Sequence, residues 1–166
     1  MKRIIVAMAT AGVMLAADGA TAGKVNMPKE GSYEFDFCTV VRGKTLSAGD
    51  KVFVFNYEGI SNLTTVPPGR PFDRMGSVCY GTYANLNGHQ QESGVCELTD
   101  QDADKWWMDY HGNAEGTGGT YTAVHGTGKY EGMTLKGEYR LDSWPVALKD
   151  VGFQGCNHNK GTYKLK

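Results

Sequence analysis

The sequence has little that would point to a membrane protein, a helical protein or a nucleic-acid-binding protein. Beyond residues 4–17, no uninterrupted apolar run approaches the ~20 residues that a membrane-spanning helix needs. The 17 Lys and Arg residues are balanced by 18 Asp and Glu residues, without the basic stripe that marks nucleic-acid binding. No stretch of helical length keeps apolar residues at intervals of three to four. We therefore expect an all-β protein that binds no nucleic acid.

The N-terminus has the features of a secretory signal peptide. A cationic start and a short apolar run are followed at 20–22 by Ala-Thr-Ala, the small-x-small pattern that signal peptidase accepts. The alternative, an uncleaved anchor, is disfavoured because the apolar run is short and ends at Asp18. We predict a signal peptide over 1–22 and one domain over 23–166, periplasmic or secreted, with no membrane contact after cleavage.

Turn residues divide the rest of the chain into short segments with strand character. Apolar and polar residues alternate most clearly over 133–141, as in a strand with one buried and one solvated face. The 23 glycines suit turns and closely packed strands better than helices. Eight strands are predicted, over 33–41, 51–58, 77–84, 94–99, 105–111, 120–125, 133–141 and 161–166.

The central hairpins allow part of the strand register to be predicted. If residues 87–88, Asn-Gly, form the centre of a loop, Cys79 lies directly opposite Cys96, close enough for a disulfide. The next turn then places Leu98 opposite Trp106. These four side chains fall on one face, which we predict to be the core.

Four cysteines in an exported chain favour two disulfides. With Cys79 and Cys96 paired, Cys38 and Cys156 form the second bridge by elimination. The alternative is a metal site, because residues 156–158, Cys-Asn-His, place two potential ligands close together. The sequence contains no Cys-x-x-Cys pair to support that alternative, and we predict no metal.

Eight antiparallel strands with one apolar face form either a sandwich or a closed barrel. Short turns between sequential strands favour an up-and-down order, and closure removes the exposed edges. We predict a single eight-stranded antiparallel closed barrel. A barrel of this size is wide enough to be filled by side chains or to hold one small ligand.

Two segments of the chain are similar to a known family. Residues 126–132, Gly-Thr-Gly-Lys-Tyr-Glu-Gly, lead into the alternating strand, and residues 96–100, Cys-Glu-Leu-Thr-Asp, precede an acidic turn. Over 75–141 the chain therefore resembles the allene oxide cyclase-like barrel superfamily, which includes the plant dirigent proteins, and in particular its exported bacterial members. The resemblance implies an eight-stranded barrel with a cavity at one end. It does not imply cyclase activity, because the catalytic positions of the plant enzymes are not matched here.

Two motifs resemble ligand-binding loops. The glycines of 126–132 have the wrong spacing for a phosphate-binding loop, and a strand follows where a helix should begin. Asp100, Asp102 and Asp104 match the start of an EF-hand loop, but its sixth position is Lys105 instead of Gly. We expect a barrel corner and a solvated hairpin turn, with no cofactor. A weak, adventitious Ca²⁺ site at the aspartates is the alternative.

The candidate pocket residues are Tyr83, Trp106 and His125. Tyr83 and Trp106 lie on the predicted core face, and His125 is at a strand end beside the glycine-rich turn, where it would face the mouth of a barrel. The sequence contains no recognisable catalytic triad. Eighteen aromatic residues, counted as three Trp, nine Tyr and six Phe, predict an aromatic interior.

These patterns predict a non-catalytic protein that binds a small apolar ligand or contacts a partner. The alternative is a cyclase- or isomerase-type enzyme that acts on a small apolar substrate within the barrel. The alternative requires an ionisable residue inside an otherwise apolar pocket. The oligomeric state is left without a prediction.

Overall fold

The computed structural model describes residues 27–63, 66, 70–142, 146–149 and 152–166. Over these residues the chain forms nine β-strands and one turn of 3₁₀-helix, Gly128–Tyr130. The strands are β1 (Glu30–Ser47), β2 (Val52–Leu63), β3 (Gly76–Leu86), β4 (His89–Thr99), β5 (Lys105–Gly112), β6 (Gly118–Gly126), β7 (Thr134–Leu141), β8 (Val146–Leu148) and β9 (Gly152–Lys164). The predicted signal peptide at 1–22 lies outside the described residues. Among those residues, no helix is long and apolar enough to cross a membrane.

The strands form one closed antiparallel barrel. Each strand from β1 to β6 pairs with the next, β7 pairs with β9, and β9 pairs with β1. The short β8 pairs with β9 beyond the end of β7. The predicted eight-stranded barrel is therefore confirmed, with β8 as an additional strand that the sequence pattern did not indicate. Closure joins the two edges that an open sheet would expose.

The predicted register of the central hairpins is confirmed. Cys79 lies opposite Cys96 in the pairing of β3 with β4, and Leu98 lies opposite Trp106 in the pairing of β4 with β5. Leu98 and Trp106 are fully buried, and Cys96 is 2% exposed. The predicted core face is therefore the face that points into the barrel.

Both predicted disulfides are present. The Cys79–Cys96 bridge joins β3 to β4 inside the barrel, while the Cys38–Cys156 bridge joins β1 to β9 on the outer wall. The second bridge thus crosslinks the two strands whose pairing closes the barrel. Because Cys156 is bonded to Cys38, it is not a metal ligand. Two disulfides indicate an oxidising environment.

Several strands are longer than predicted. β1 continues to Ser47, β4 begins at His89 and β9 begins at Gly152. Apart from Phe153, the inward positions in these extensions carry small or polar side chains, among them Glu92 and Asn157. The apolar alternation that marks a strand in the sequence ends where the interior of the barrel becomes a cavity.

One end of the barrel is filled with side chains. Residues 70–75, before β3, cover this end and insert Phe72 and Met75, which are 0% and 1% exposed. The Phe72 ring contacts the rings of Tyr33, Trp106 and Tyr130. Its backbone φ of 66° costs about 1 kcal/mol in a residue with a Cβ atom. Full burial of a phenylalanine side chain, about 1.5–3 kcal/mol, offsets that cost.

Lys129, in the connection between β6 and β7, contacts three aspartates at the same end of the barrel, which we call the closed end. Its ammonium nitrogen lies 2.6 Å from carboxylate oxygens of Asp100 and Asp102 and 3.6 Å from Asp104. Asp100 also accepts hydrogen bonds from the Tyr130 hydroxyl and from two backbone N–H groups of its own turn. The expected solvated turn is therefore partly buried, with Asp100 6% exposed. The lysine ammonium occupies the position that a cation would take among the three aspartates.

Gly128 allows the backbone of this corner to approach the side chain of Asp104 closely. Its φ is +54°, and a Cβ atom there would collide with the carboxylate of Asp104. The close approach allows the backbone N–H of Lys129 to donate to Asp104 at 3.1 Å. Residues 126–132 are thus the predicted barrel corner, and they lie at the closed end.

Replacing Lys129 with Met should lower the free energy of unfolding by about 3 kcal/mol at pH 7, because Asp100 loses its cation. Burial lowers the pKa of Lys129, but the hydrogen bonds and charges of Asp100 and Asp102 outweigh burial and raise it. The contribution of the ammonium is therefore complete below about pH 10.4 and is lost as the pH rises through the raised pKa. Urea unfolding from pH 7 to 11 should show the two proteins converging in stability.

The matched control is Lys105→Met. Lys105 forms a 2.6 Å ion pair with Glu97 at the surface, where its side chain is 38% exposed. Its loss should cost less than about 1 kcal/mol. Equal losses for the two variants would contradict the assigned role of Lys129.

Candidate functional site: an aromatic cavity with one carboxylate at its centre

The other end of the barrel holds a cavity of about 890 Å³ that opens to solvent. Gly49 and Asp50 after β1, Gly116 after β5 and Ala147 in β8 lie at its mouth, and inward residues of the strands form its wall. A cavity of this size can hold a small organic ligand. Its aromatic lining consists of Phe37, Phe53, Phe55, Tyr57, Tyr83, Tyr110, Tyr121, Tyr139 and Phe153.

Two opposed glycines make room for two tyrosines on the inner wall. Tyr57, Gly81, Gly94 and Tyr110 lie opposite one another in sequence across β2, β3, β4 and β5. A Cβ atom at either glycine would collide with the Tyr110 hydroxyl. Because both glycines lack that atom, the two rings extend over β3 and β4, and their hydroxyl oxygens lie 2.6 Å apart.

The same arrangement is repeated on the opposite wall. Tyr121, Gly137, Gly161 and Tyr33 lie opposite one another across β6, β7, β9 and β1. The two hydroxyl oxygens are 3.1 Å apart. A pair of tyrosines bridging a pair of glycines is therefore a recurrent element of this barrel.

Glu92 takes the place of one tyrosine in a third arrangement. Its side chain lies against Gly112, which pairs with Gly119, and Gly119 pairs with Tyr139. The Tyr139 hydroxyl donates to one carboxylate oxygen at 2.8 Å. The Tyr57 hydroxyl donates to the other at 2.7 Å. A carboxyl group is thus held in the cavity by phenols from two strands.

The hydroxyl protons form a chain that ends at Glu92. Tyr57 has a single hydroxyl proton and donates it to Glu92, so the 2.6 Å contact between Tyr57 and Tyr110 requires Tyr110 to donate. Tyr139 donates from the other side. Both carboxylate oxygens of Glu92 therefore accept a hydrogen bond from a phenol.

Burial and the carboxylate keep these phenols protonated. Burial is the largest cause of the raised pKa of Tyr57 and of Tyr139, and the charge of Glu92 raises both further. Burial also raises the pKa of Tyr110, to about 12. At neutral pH the three tyrosines therefore stay protonated. Tyr57 and Tyr139 donate to the Glu92 carboxylate, and Tyr110 donates to Tyr57.

The structure separates the three pocket residues proposed from the sequence. Tyr83 lines the cavity, and its hydroxyl donates to Gln90 at 2.6 Å. Trp106 is 0% exposed and belongs to the packed closed end. His125 is exposed on the outer wall, where its ring centre lies 5.2 Å from that of Trp107.

The placement of His125 differs from the expectation that it faces the mouth of the barrel. Trp106 points inward, so its neighbour Trp107 points outward, and His125 pairs with Trp107. The glycine-rich turn that follows His125 also lies at the closed end. The imidazole of His125 therefore lies neither in the cavity nor at its mouth.

Glu92 lies outside the predicted bounds of β4, so the apolar pattern does not reveal it. A signal was nevertheless present in the sequence. The hairpin register that places Cys79 opposite Cys96 also places Tyr83 opposite Glu92, on the same inward face. Extending the predicted hairpin by two residue pairs would have identified the carboxyl group.

One group of potential metal ligands is found among the described residues, on the outer wall. The ligand atoms of Asp36, Asp142 and His158 lie within 4.8 Å of one another. The two ring nitrogens of His158 already face carboxylate oxygens, 2.8 Å away in Asp36 and 2.9 Å away in Glu34. Arg140 donates to Asp142 at 2.8 Å. These residues form a hydrogen-bonded network on the outer wall.

Comparisons with known proteins support the fold. No protein family model matches the sequence, and none of the curated proteins compared matches it. The structure is similar to that of the pterocarpan synthase dirigent protein PsPTS1, with a TM-score of 0.53 and 14% identity, over 82% of this chain and 96% of that one. For the pterocarpan synthase dirigent protein GePTS1 the TM-score is 0.49 and the identity 13%, over 83% of this chain and 92% of that one. At 14% identity the first likeness establishes the fold alone, the eight-stranded barrel of the dirigent proteins.

Replacing Tyr139 with Phe should lower the free energy of unfolding by about 1–2 kcal/mol, because one oxygen of Glu92 loses its donor. The raised pKa of Tyr139 means that the phenol stabilises the folded state fully below about pH 10 and progressively less as the pH rises through the raised value. Wild-type stability should therefore fall more steeply above pH 10 than that of the variant. Urea unfolding between pH 7 and 11 measures both effects.

Tyr80→Phe is the matched control, because Tyr80 is 62% exposed on the outer wall. Its stability should stay within about 0.5 kcal/mol of wild type. A Tyr139→Phe variant as stable as this control would mean that the hydroxyl chain contributes nothing to folding.

Proposed function

We propose that the protein is an exported barrel, periplasmic or secreted, that binds a small apolar ligand in its cavity without converting it. The single observation that carries this proposal is the cavity of about 890 Å³ in a barrel whose other end is filled by buried side chains. The signal-like N-terminus and the two disulfides support export. The resemblance over 75–141 supports placing the chain with the exported bacterial members of the allene oxide cyclase-like superfamily.

The outer part of the cavity wall suits an apolar ligand. The Phe55 ring lies 5.7 Å from that of Phe153, and the Phe53 ring lies 5.7 Å from that of Tyr83. All four residues line the cavity and are only partly buried, so apolar surface is open to a ligand. Removing such surface from water contributes about 25 cal/mol per Å². A ligand with an apolar body would gain this contribution from several strands at once.

Val41→Trp tests whether the cavity binds ligands. Val41 lines the cavity, so the larger indole should occupy part of its volume and weaken binding of the neutral fluorescent probe N-phenyl-1-naphthylamine by about tenfold. The preceding residue, Val40, has its side chain on the outer wall. Val40→Trp is therefore the matched control and should bind the probe as wild type does. A wild-type protein that fails to bind the probe would refute the proposal.

A cyclase or isomerase acting on a small apolar substrate is the second candidate, and Glu92 is the observation that favours it. This is an ionisable group inside an aromatic cavity, which the enzymatic alternative requires. Its carboxylate is oriented by Tyr57 and Tyr139 and would serve as a general base toward a substrate proton within hydrogen-bond reach.

Isomerisation leaves molecular mass unchanged, which provides the test of the second candidate. A small-molecule extract of the producing culture is incubated with wild type or with Glu92→Gln and analysed by liquid chromatography with mass detection. An enzyme should deplete one compound and form another of equal mass, and Glu92→Gln should abolish the change. Identical chromatograms before and after incubation with wild type would leave the binding protein as the supported function.

A further inference from the structure

We propose that the cavity is selective for an organic cation, a small amine or quaternary ammonium compound with an apolar body. This inference rests on the proposed ligand-binding function and adds the charge of the ligand. It follows from the charges and rings that line the cavity and from the hydrogen bonds that hold Glu92.

The charged side chains in the cavity lining have one sign. They are Glu92 in the wall and Asp50 at the mouth, and the described lining residues include no Lys, Arg or His. A ligand entering the cavity therefore approaches two carboxylates. In a partly enclosed site such charges are screened less than on the open surface.

Glu92 differs from two lysine-paired carboxylates of the outer wall in what it contacts. It differs from Glu58, which accepts a hydrogen bond from the Tyr80 hydroxyl at 3.1 Å, in lining the cavity instead of being exposed on the outer wall. On the outer wall, Glu97 pairs with Lys105 at 2.6 Å and Glu138 pairs with Lys160 at 2.9 Å. The hydrogen bonds of Glu92 come instead from uncharged phenols. Phenols orient and solvate a carboxylate, but they do not neutralise it. Its negative charge therefore remains available to a cationic ligand.

The carboxylate also retains acceptor capacity. Its two oxygens offer about four lone-pair positions. Tyr57 and Tyr139 occupy one position on each oxygen. A ligand ammonium could thus donate to either oxygen without displacing the tyrosines, and the fixed phenols would keep the carboxylate in place for it.

The aromatic rings of the cavity favour the same class of ligand. The Phe55 ring is stacked on Tyr57 with ring centres 5.6 Å apart, and the Tyr110 and Tyr139 rings meet edge to face at 6.4 Å. The electron-rich face of an aromatic ring attracts a cation within about 6 Å, most strongly where water is excluded. Several rings around one carboxylate form the type of site that recognises ammonium groups.

The test uses three naphthalene compounds that differ in charge, with binding to wild type measured calorimetrically at pH 7.5. They are 1-naphthylmethylamine (cationic), 1-naphthylmethanol (neutral) and 1-naphthoate (anionic). We expect the amine to bind about tenfold more tightly than the alcohol, and the alcohol to bind more tightly than the anion. This comparison requires no variant to fold.

Variants then locate the selectivity. Glu92→Gln should reduce the preference for the amine over the alcohol to about threefold or less. Glu92→Asp, which keeps the charge, should retain a preference for the amine. Glu97→Gln removes a carboxylate from the outer wall and should bind all three compounds as wild type does.

The outcomes separate this inference from the proposed function. If the alcohol binds and the amine binds no more tightly, the inference is overturned and the apolar-ligand function stands. If Glu92→Gln weakens the amine and the alcohol equally, the selectivity does not come from Glu92 and the inference is again overturned. If neither the three compounds nor N-phenyl-1-naphthylamine bind to wild type, the binding function fails together with the inference.

Discussion

Pairs of opposed glycines on the inner wall are the constraint on which the rest of this structure depends. A closed eight-stranded barrel leaves little room for side chains from facing strands. Where Gly81 lies opposite Gly94, and Gly137 opposite Gly161, tyrosines from the flanking strands extend over the bare backbone and meet by their hydroxyl groups. The glycines therefore determine both how the barrel packs and where its polar atoms converge.

The two ends of the barrel use their polar residues differently. At the closed end the carboxylate of Asp100 is neutralised by Lys129 and covered by Tyr130, beside the inserted Phe72. At the open end the Glu92 side chain accepts hydrogen bonds from phenols and lines the cavity. Charge compensation by the chain itself is typical of a group that supports the fold. A carboxylate that faces a cavity without a cation of its own is better explained by binding.

The fold of this barrel does not determine its function. The barrel is that of the dirigent proteins, yet identity to PsPTS1 is only 14%, so residue roles cannot be transferred. This chain combines a mouth bordered by Asp50, aromatic walls and one carboxylate oriented by phenols. The proposed function and the proposed charge of the ligand both follow from that combination, and each has its own measurement.

The sequence by itself determined the all-β class, the central hairpin register and the cysteine pairing, because alternation and turn position are local properties. It underestimated β1, β4 and β9, since their extensions line a cavity and, apart from Phe153, have small or polar residues at the inward positions. Only the tertiary structure decided the site. Glu92 is 35 residues from Tyr57 and 47 from Tyr139, and closure of the barrel over the glycine pairs is what brings the three side chains together.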